Sequence, residues 1–371
     1  MKKVPLIVFL MLTSSLVRAA DSKKLDAQVA AITKSALLID THNDIPSFTV
    51  TGADIANSPK NHTDIPRLKQ GGVGAVFFSV YVAATYVEGN HSANRTLQMI
   101  DSVQHDIIDH YPETFQQAFT AADIEKAHRK HKIAALMGME GGHGIEDSPR
   151  LLRDYYRLGI RYMTLTHWNT NSWADSSGDI NNPNVQHHNG LTPLGKEIVL
   201  EMNRLGMMVD ISHVADKTFY DALETSQAPL LASHSSCRAV TDAPRNMTDD
   251  MLKKLAEKGG VVQININCGF ISQKSKDAPA SAPVRATLAD LVAHIDHARQ
   301  VAGIDAIGIG TDFDGIECTP EGLDDVSKFP NLTRALLEKG YSVADIKKIY
   351  GGNTLRLMRQ VEEVAGQMQK H

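Results

Sequence analysis

Eight short apolar runs recur along the chain, and between most of them lies a longer stretch with apolar residues at helical spacing. The runs cover residues 37–39, 75–82, 133–139, 161–165, 207–211, 229–232, 261–266 and 306–309. The helical stretches cover 92–110, 121–131, 149–158, 193–205, 216–225, 248–258 and 287–301. Near-continuous apolar strands belong to a sheet buried on both faces, and regular alternation with helices implies parallel strands joined by crossovers. Eight such units predict an α/β fold of the (β/α)8 TIM-like barrel type. No short-period repeat or long Pro/Ser linker divides the chain, although 272–283 (SQKSKDAPASAP) reads as a flexible surface loop. One barrel domain over 20–371 is expected.

Residues 1–19 stand apart from this pattern. Lys2 and Lys3 precede an apolar stretch over 4–12, and small residues then lead to Val17-Arg18-Ala19, the layout of a cleavable signal peptide. No cysteine at the cleavage site would take a lipid, and the C-terminal VAGQMQKH offers no hydrophobic anchor tail. The expectation is an exported protein, periplasmic in a bacterium and soluble after cleavage, with no membrane anchor in the mature chain. A formal net charge of -5 with a pI near 6.3 provides no basic field for nucleic acid or an anionic membrane, so small-molecule partners are expected. Cys237, Cys268 and Cys318 form no short-spaced pair, and their odd number leaves at least one thiol free. Disulfides are therefore not expected to be the main staple.

A (β/α)8 barrel carries its site at the C-terminal ends of the strands, so the residues that follow each apolar run are the informative ones. The first run, LIDTHNDIP, delivers His42 and Asp44. The third delivers Glu140 in MGMEGGH, the fourth His167 in MTLTHWN and the fifth His213 in VDISHVA. The sixth delivers His234 in LLASHSS and the last Asp312 in GIGTDFDG. Seven ionisable residues thus gather at one end, whereas most of the twelve other histidines, such as His105, His128 and His294, fall in helical or loop segments. Neutral imidazoles and carboxylates are suited to Zn2+. His42 and Asp44 point to one side of an extended segment, His213 and His234 come from neighbouring strands, and Glu140 lies between the two pairs. Two bridged cations would activate a water and stabilise the oxyanion formed on a carbonyl.

Taken singly, each residue has an ordinary structural reading. His42 with Asp44 could cap a strand, Glu140 could be a turn carboxylate before two glycines, and His213 or His234 could be a satisfied core histidine. His167 could pack beside Trp168 and Trp173, Arg245 could be a surface arginine, and Asp312 shares its turn with Asp314. Cys237 reads as an inert buried thiol rather than a soft ligand, and His143 as a structural residue. The shared placement of the set is what favours metal.

With these stretches in view, the chain resembles the membrane (renal) dipeptidases, peptidase family M19 of the amidohydrolase-like barrels. The resemblance runs from about Ala36 to Gly351-Gly352-Asn353 and is carried by IDTHNDIP, MGMEGGH, MTLTHWN with WADS, VDISHVA, SHSSCRAV with RNMTDD, and GIGTDFDG. It implies that His42, Asp44 and Glu140 bind one zinc and that Glu140, His213 and His234 bind another. It further implies that His167 contacts the substrate carbonyl, Arg245 clamps the terminal carboxylate, and Asp312 meets the free amine and shuttles the proton. The implied substrate is a free dipeptide, with a D-residue tolerated at its C-terminal position and some β-lactams opened by family members; a homodimer is also implied. Asp44 and Glu140 stand where related barrels carry a second histidine and a modified lysine. Two rival readings remain at this point: another amidohydrolase-type enzyme acting on a cyclic amide or as a deaminase, and a non-catalytic periplasmic binding protein on the same fold.

Overall fold

In the computed structural model, which describes residues 22–370, each of the eight apolar runs is a strand of one sheet. The signal-peptide reading of residues 1–19 lies outside the described residues. The barrel strands are β1 (Leu38–Asn43), β2 (Val73–Tyr81), β3 (Ile133–Glu140), β4 (Ile160–Thr164), β5 (Met208–Asp210), β6 (Leu231–Ser235), β7 (Val261–Ile264) and β8 (Ile307–Ile309). Every neighbouring pair is parallel, and the barrel closes where β1 meets β8 at Asp40 and Ile309 and where β2 lies along β3.

Two apolar layers explain the closure. Residues such as Leu38, Val76, Met163, Val262 and Ile309 pack outward against helix residues including Ile198, Phe219, Leu252 and Ile295. Ile39, Phe77, Leu136, Tyr162, Met208 and Val261 form a second cluster with Leu355, Leu357, Met358 and Val361 of the C-terminal helix Asn353–Met368. That helix shields one side of the strand core from water, as the strands' continuous apolar character demands.

Local chemistry sets the helix ends. Helix Pro193–Leu205 starts with Thr192 accepting from the Gly195 amide and proline in the first turn, and stops at Gly206 with φ 85°. Helices Ala121–Arg129 and Leu288–Ala302 open with reciprocal capping boxes at Thr120 and Thr287.

The structure departs from the sequence reading in several places. β6 runs through Ser233, His234 and Ser235 rather than ending at Ala232, because its serine hydroxyls find partners inside the protein. β1 likewise continues through His42. A ninth short strand, Phe115–Gln117, pairs with residues 133–135 of β3, whereas β4 pairs with β3 from Met137 onward. The helix expected over 92–110 widens from an ordinary helix at Ser92–Asp101 into a π-type helix at Ser102–Asp109. Within the loop at 272–283, Gln273–Asp277 forms a helical turn. Cys268 and Cys318 form a disulfide across 50 residues, leaving Cys237 free and buried.

Candidate metal centre

The strand ends that carry histidine are irregular. On β1, Asp40 pairs with Val76 and Asn43 with Phe78, so three steps on β1 match two on β2. On β6, Ala232 pairs with Val262 and Ser235 with Ile264, again three steps against two. Each extra residue is a bulge, a device that re-aims a side chain at a barrel rim, and the bulged segments contain His42 and His234. His213 adopts φ +67° instead, a left-handed conformation unusual for a residue with a Cβ. Glu140 ends β3 beside two glycines: Gly141 takes φ 106°, and a Cβ on Gly142 would lie 2.4 Å from both the Leu165 carbonyl and the Trp173 ring.

These side chains converge. His42 Nε2 lies 3.3 Å from Asp44 Oδ2 and 3.6 Å from Glu140 Oε2. The other Glu140 oxygen, Oε1, lies 3.0 Å from His213 Nε2 and 3.3 Å from His234 Nε2, and those two nitrogens are 2.9 Å apart. Glu140 therefore has one oxygen toward each pair. None of the five residues is more than 5% exposed, and both His42 Nε2 and Asp44 Oδ2 are buried with no hydrogen-bond partner. Buried lone pairs left facing one another need a cation or protons between them. The donor set of imidazole nitrogens and carboxylate oxygens fits a divalent metal such as zinc.

Two of the three histidines are neutral, while His42 differs: burial lowers its pKa, but Tyr162, Glu140 and Asp44 outweigh burial and hold it well above the usual value, so a metal would have to displace its proton. Burial, with Arg245 and His167 adding positive charge, holds the His213 imidazole well below its usual pKa; burial and His42 do the same to His234. Both are thus neutral, as ligands must be. Burial would raise the Glu140 carboxyl, but the neighbouring His42, His167, His213 and His234 outweigh it and hold the group well below its usual pKa.

Above the five lies a cleft of about 330 Å³, lined by Asp44, Glu140, His167, His213 and Asp312 together with aromatic residues that include Tyr81, Trp168 and Phe270. His167 Nε2 is 4.0 Å from Glu140 Oε1, and its ring stands edge-on to Tyr81 and Trp168. The Asp312 amide donates to the His42 carbonyl at 3.0 Å, and Asp312 Oδ2 accepts from Asn265 at 2.9 Å. Burial, reinforced by Asp44 and Glu140, pushes the Asp312 carboxyl up to about 8, a value that nearby cations would pull back down. Asp314 also lines the cleft, but its Oδ1 is held by the His62 amide.

Arg245 is not the surface residue that its sequence context suggests. It is 5% exposed, donates to the His234 carbonyl at 3.0 Å and to Ser235 Oγ at 3.3 Å, and lies under the Phe270 ring. It borders a neighbouring cavity that shares Trp168 and Phe270 with the cleft. Cys237 bonds to His294 rather than to the centre, and His143 bonds to the Val82 carbonyl.

Several contributors escaped the sequence reading. Asp40, two residues before His42, does not join the centre; its carboxylate accepts from the Thr311 amide at 2.9 Å and the Thr311 hydroxyl at 2.6 Å, tying β1 to the loop that carries Asp312. Asn265 and Tyr81 follow β7 and end β2, so the strand-end rule applied to them too, but neither is charged at neutral pH. Tyr162 touches His42, Ser233 touches His234, and Asp210 touches Ser233.

The profile of the membrane dipeptidases, peptidase family M19, matches residues 26–371. Dipeptidase verJ of Clonostachys rogersoniana is 42% identical over 349 residues, 90% of this chain and 86% of its own. Dipeptidase 3 of Mus musculus is 37% identical over 348 residues, 92% of this chain and 68% of its own. Among solved structures, dipeptidase AC, a metallopeptidase of family M19, aligns with a TM-score of 0.78 at 27% identity, covering 88% of this chain and 99% of its own. A metallopeptidase from Rhodobacter sphaeroides, liganded with a phosphinate mimic of the dipeptide L-Ala-D-Ala, aligns with a TM-score of 0.77 at 26% identity over 88% and 99% of the respective chains.

Proposed function

The chain belongs to the membrane dipeptidase family, peptidase family M19, and is a metal-dependent dipeptidase; from that premise we propose that it uses two zinc ions bridged by Glu140. His42, Asp44 and Glu140 would hold one ion, and Glu140, His213 and His234 the other. The single observation that carries this reading is the split of the Glu140 oxygens, one toward His42 and one toward His213 and His234. Bound there, the ions supply Lewis acidity and a water of lowered pKa.

The protein's own groups do the rest. Asp312, held by the His42 carbonyl and Asn265, takes the proton of the attacking water and returns it to the departing amine. His167 donates a hydrogen bond to the carbonyl oxygen as charge develops on it, so the stabilisation is set in place before the reaction. Arg245 binds the substrate's terminal carboxylate and thereby fixes the distance from chain end to scissile bond. Aromatic side chains around the mouth limit water.

A D-residue at the C-terminal position is part of the proposal, supported by the L-Ala-D-Ala mimic bound to the Rhodobacter sphaeroides neighbour. Comparing L-Ala-L-Ala with L-Ala-D-Ala tests it, and failure to cleave the second removes it. Export is proposed from the leader pattern and from the Cys268–Cys318 bridge, since disulfides persist in oxidising compartments. No helix of the described residues is long and apolar enough to cross a membrane. N-terminal sequencing of protein from the periplasmic fraction should begin at Ala20.

The central experiment compares a dipeptide with its matching tripeptide, using protein as purified, after chelation, and after zinc is restored. Cleavage of the dipeptide alone, lost and regained with metal at two equivalents per chain, is expected. Metal bound at two equivalents with neither peptide turned over would leave the centre standing and reject the substrate.

A further inference from the structure

The three histidines of the centre all aim Nε2 inward, but the support behind each ring differs. Behind His234, Nδ1 lies 2.7 Å from Ser233 Oγ, and Ser233 Oγ lies 2.6 Å from Asp210 Oδ2. A hydroxyl has one hydrogen, and a carboxylate only accepts. The alternative acceptor, Ser212 Oγ, is 3.4 Å away, so the Ser233 hydrogen goes to Asp210 and the Ser233 oxygen accepts from His234 Nδ1–H. In the neutral ring this leaves the lone pair on Nε2, facing Glu140 and His213.

Asp210 is built for this load. Its Oδ1 accepts from the Ser212 amide at 3.1 Å and the Ser233 amide at 2.7 Å, and its Oδ2 accepts from the Thr164 and Ser233 hydroxyls at 2.5 and 2.6 Å. The carboxylate is fully buried, yet among the described residues no ion pair to it is found. A buried carboxylate without a directly paired counter-charge is costly, and four hydrogen bonds offset only part of that cost. A cation one imidazole away would add to the field of Arg245, which reaches Asp210 from beyond ion-pair distance.

The other two rings show the contrast. His42 Nδ1 lies 2.6 Å from the Tyr162 hydroxyl, which in turn donates to the Thr41 carbonyl at 3.0 Å, so this relay is neutral. His213 Nδ1 is buried with no partner at all.

We propose that Ser233 and Asp210 are positioning residues for His234: a charged hydrogen-bond relay that fixes which ring nitrogen faces the centre and raises its basicity toward the ion it shares with His213 and Glu140. The proposal rests on the two-ion reading above. Outer partners of ligating histidines typically change metal affinity 10–100-fold when removed.

The test is a zinc titration against a competing chelator, on wild-type protein, Ser233→Ala and Ser233→Thr, with the melting temperature of each metal-free protein measured alongside. The expected result is that Ser233→Ala weakens one of the two zinc equivalents by about 10–100-fold and leaves the other within about twofold. Ser233→Thr, which keeps the hydroxyl, should restore it; Ser233→Ala should melt lower without metal because it strips a hydrogen bond from buried Asp210 and His234, so the preferential loss of one zinc equivalent is the deciding readout. A Ser233→Ala protein that binds both equivalents as tightly as wild type overturns the proposal, as does equal weakening of both. A wild-type protein that binds no zinc overturns the metal centre itself, which is a different failure and is read on the wild type alone.

Discussion

Removing the Cys268–Cys318 bridge by the double change Cys268→Ser/Cys318→Ser should cost stability far more than activity. The bridge closes a loop of 50 residues, for which the chain-entropy relation gives about 4 kcal/mol at room temperature. At roughly 2 cal/mol/K of unfolding entropy per residue, the described chain of residues 22–370 should then melt about 5 °C lower. The bridge joins the segment carrying Asn267 and Phe270 to the one carrying Asp312 and Ile316, all of which line the cleft. Two other ties cross the same gap, however: the Cys268 amide donates to the Cys318 carbonyl at 3.1 Å, and Asn265 donates to Asp312. Dipeptide kcat/KM should therefore fall less than about tenfold, the loss expected from one or two weakened contacts. Calorimetry and steady-state kinetics on the same preparation read both numbers, and thiol titration checks the premise. No thiol should react in the native protein, because Cys237 is buried and its thiol is pushed up to about 12, while one should react in denaturant. An unchanged melting temperature would refute the entropy argument, and a loss of kcat/KM beyond a hundredfold would mean that the bridge itself sets the catalytic geometry.

Two further outcomes follow from buried charged or titratable groups. Arg245→Lys should lower kcat/KM for a dipeptide by about 10–100-fold, through loss of a charge-assisted hydrogen bond worth about 1.5–3 kcal/mol, and should lower that for the dipeptide amide much less; equal losses on both would reject the carboxylate clamp. His294 accepts from the Cys237 amide at Nδ1, and its Nε2 lies 3.2 Å from the Ile271 carbonyl; burial pushes the ring down to about 4. The folded state thus takes up its proton later than the unfolded chain, so its contribution is complete above about pH 6.5 and fades as pH falls toward 4, by roughly 2–3 kcal/mol at pH 4.5. Urea midpoints at pH 7.5 and 4.5 for wild type and His294→Gln should show the gap between the two proteins narrowing by that amount, whereas a constant gap would contradict it.

The metal-ligand candidates were legible because the barrel rule says where to look and ionisable residues stand out against apolar strands. The same rule missed Tyr81 and Asn265 because it was applied to charged side chains alone; β2 delivers Tyr81 to the cleft, and the end of β7 delivers Asn265 to the Asp312 that lines it. The end of β6 was set too early since SHSS looks like a loop, and only the buried partners of Ser233 and Ser235 show why those residues remain in the sheet. The bulges at His42 and His234 leave no mark in composition or period, because a bulge is a mismatch between two strands and not a property of either. Asp210 was visible as the Asp of VDISHVA, but its value depends on Thr164, Ser212 and Ser233 from three strand ends, a convergence that spacing along one chain does not reveal.

The burial of Arg245 bears on why the substrate should be two residues long. Its Nη atoms are committed to the His234 carbonyl and Ser235 Oγ, while its Nε is buried without a partner. Burial lowers the guanidinium to about 10, which still leaves it charged at neutral pH. The metal-free protein thus keeps a desolvated cation with a spare donor beside the cavity that adjoins the cleft. On the proposed reading, the carboxylate of a dipeptide supplies the missing acceptor and a directly paired charge, beyond the field of Asp312, Glu140 and Asp210. A longer peptide places a neutral amide there instead, so the cation gains no directly paired charge when the scissile carbonyl is in place. Because the same guanidinium holds the carbonyl of His234, occupancy of the carboxylate site and the pose of a metal-ligand candidate are joined through one side chain, and selectivity for chain length should then appear in kcat as well as in KM.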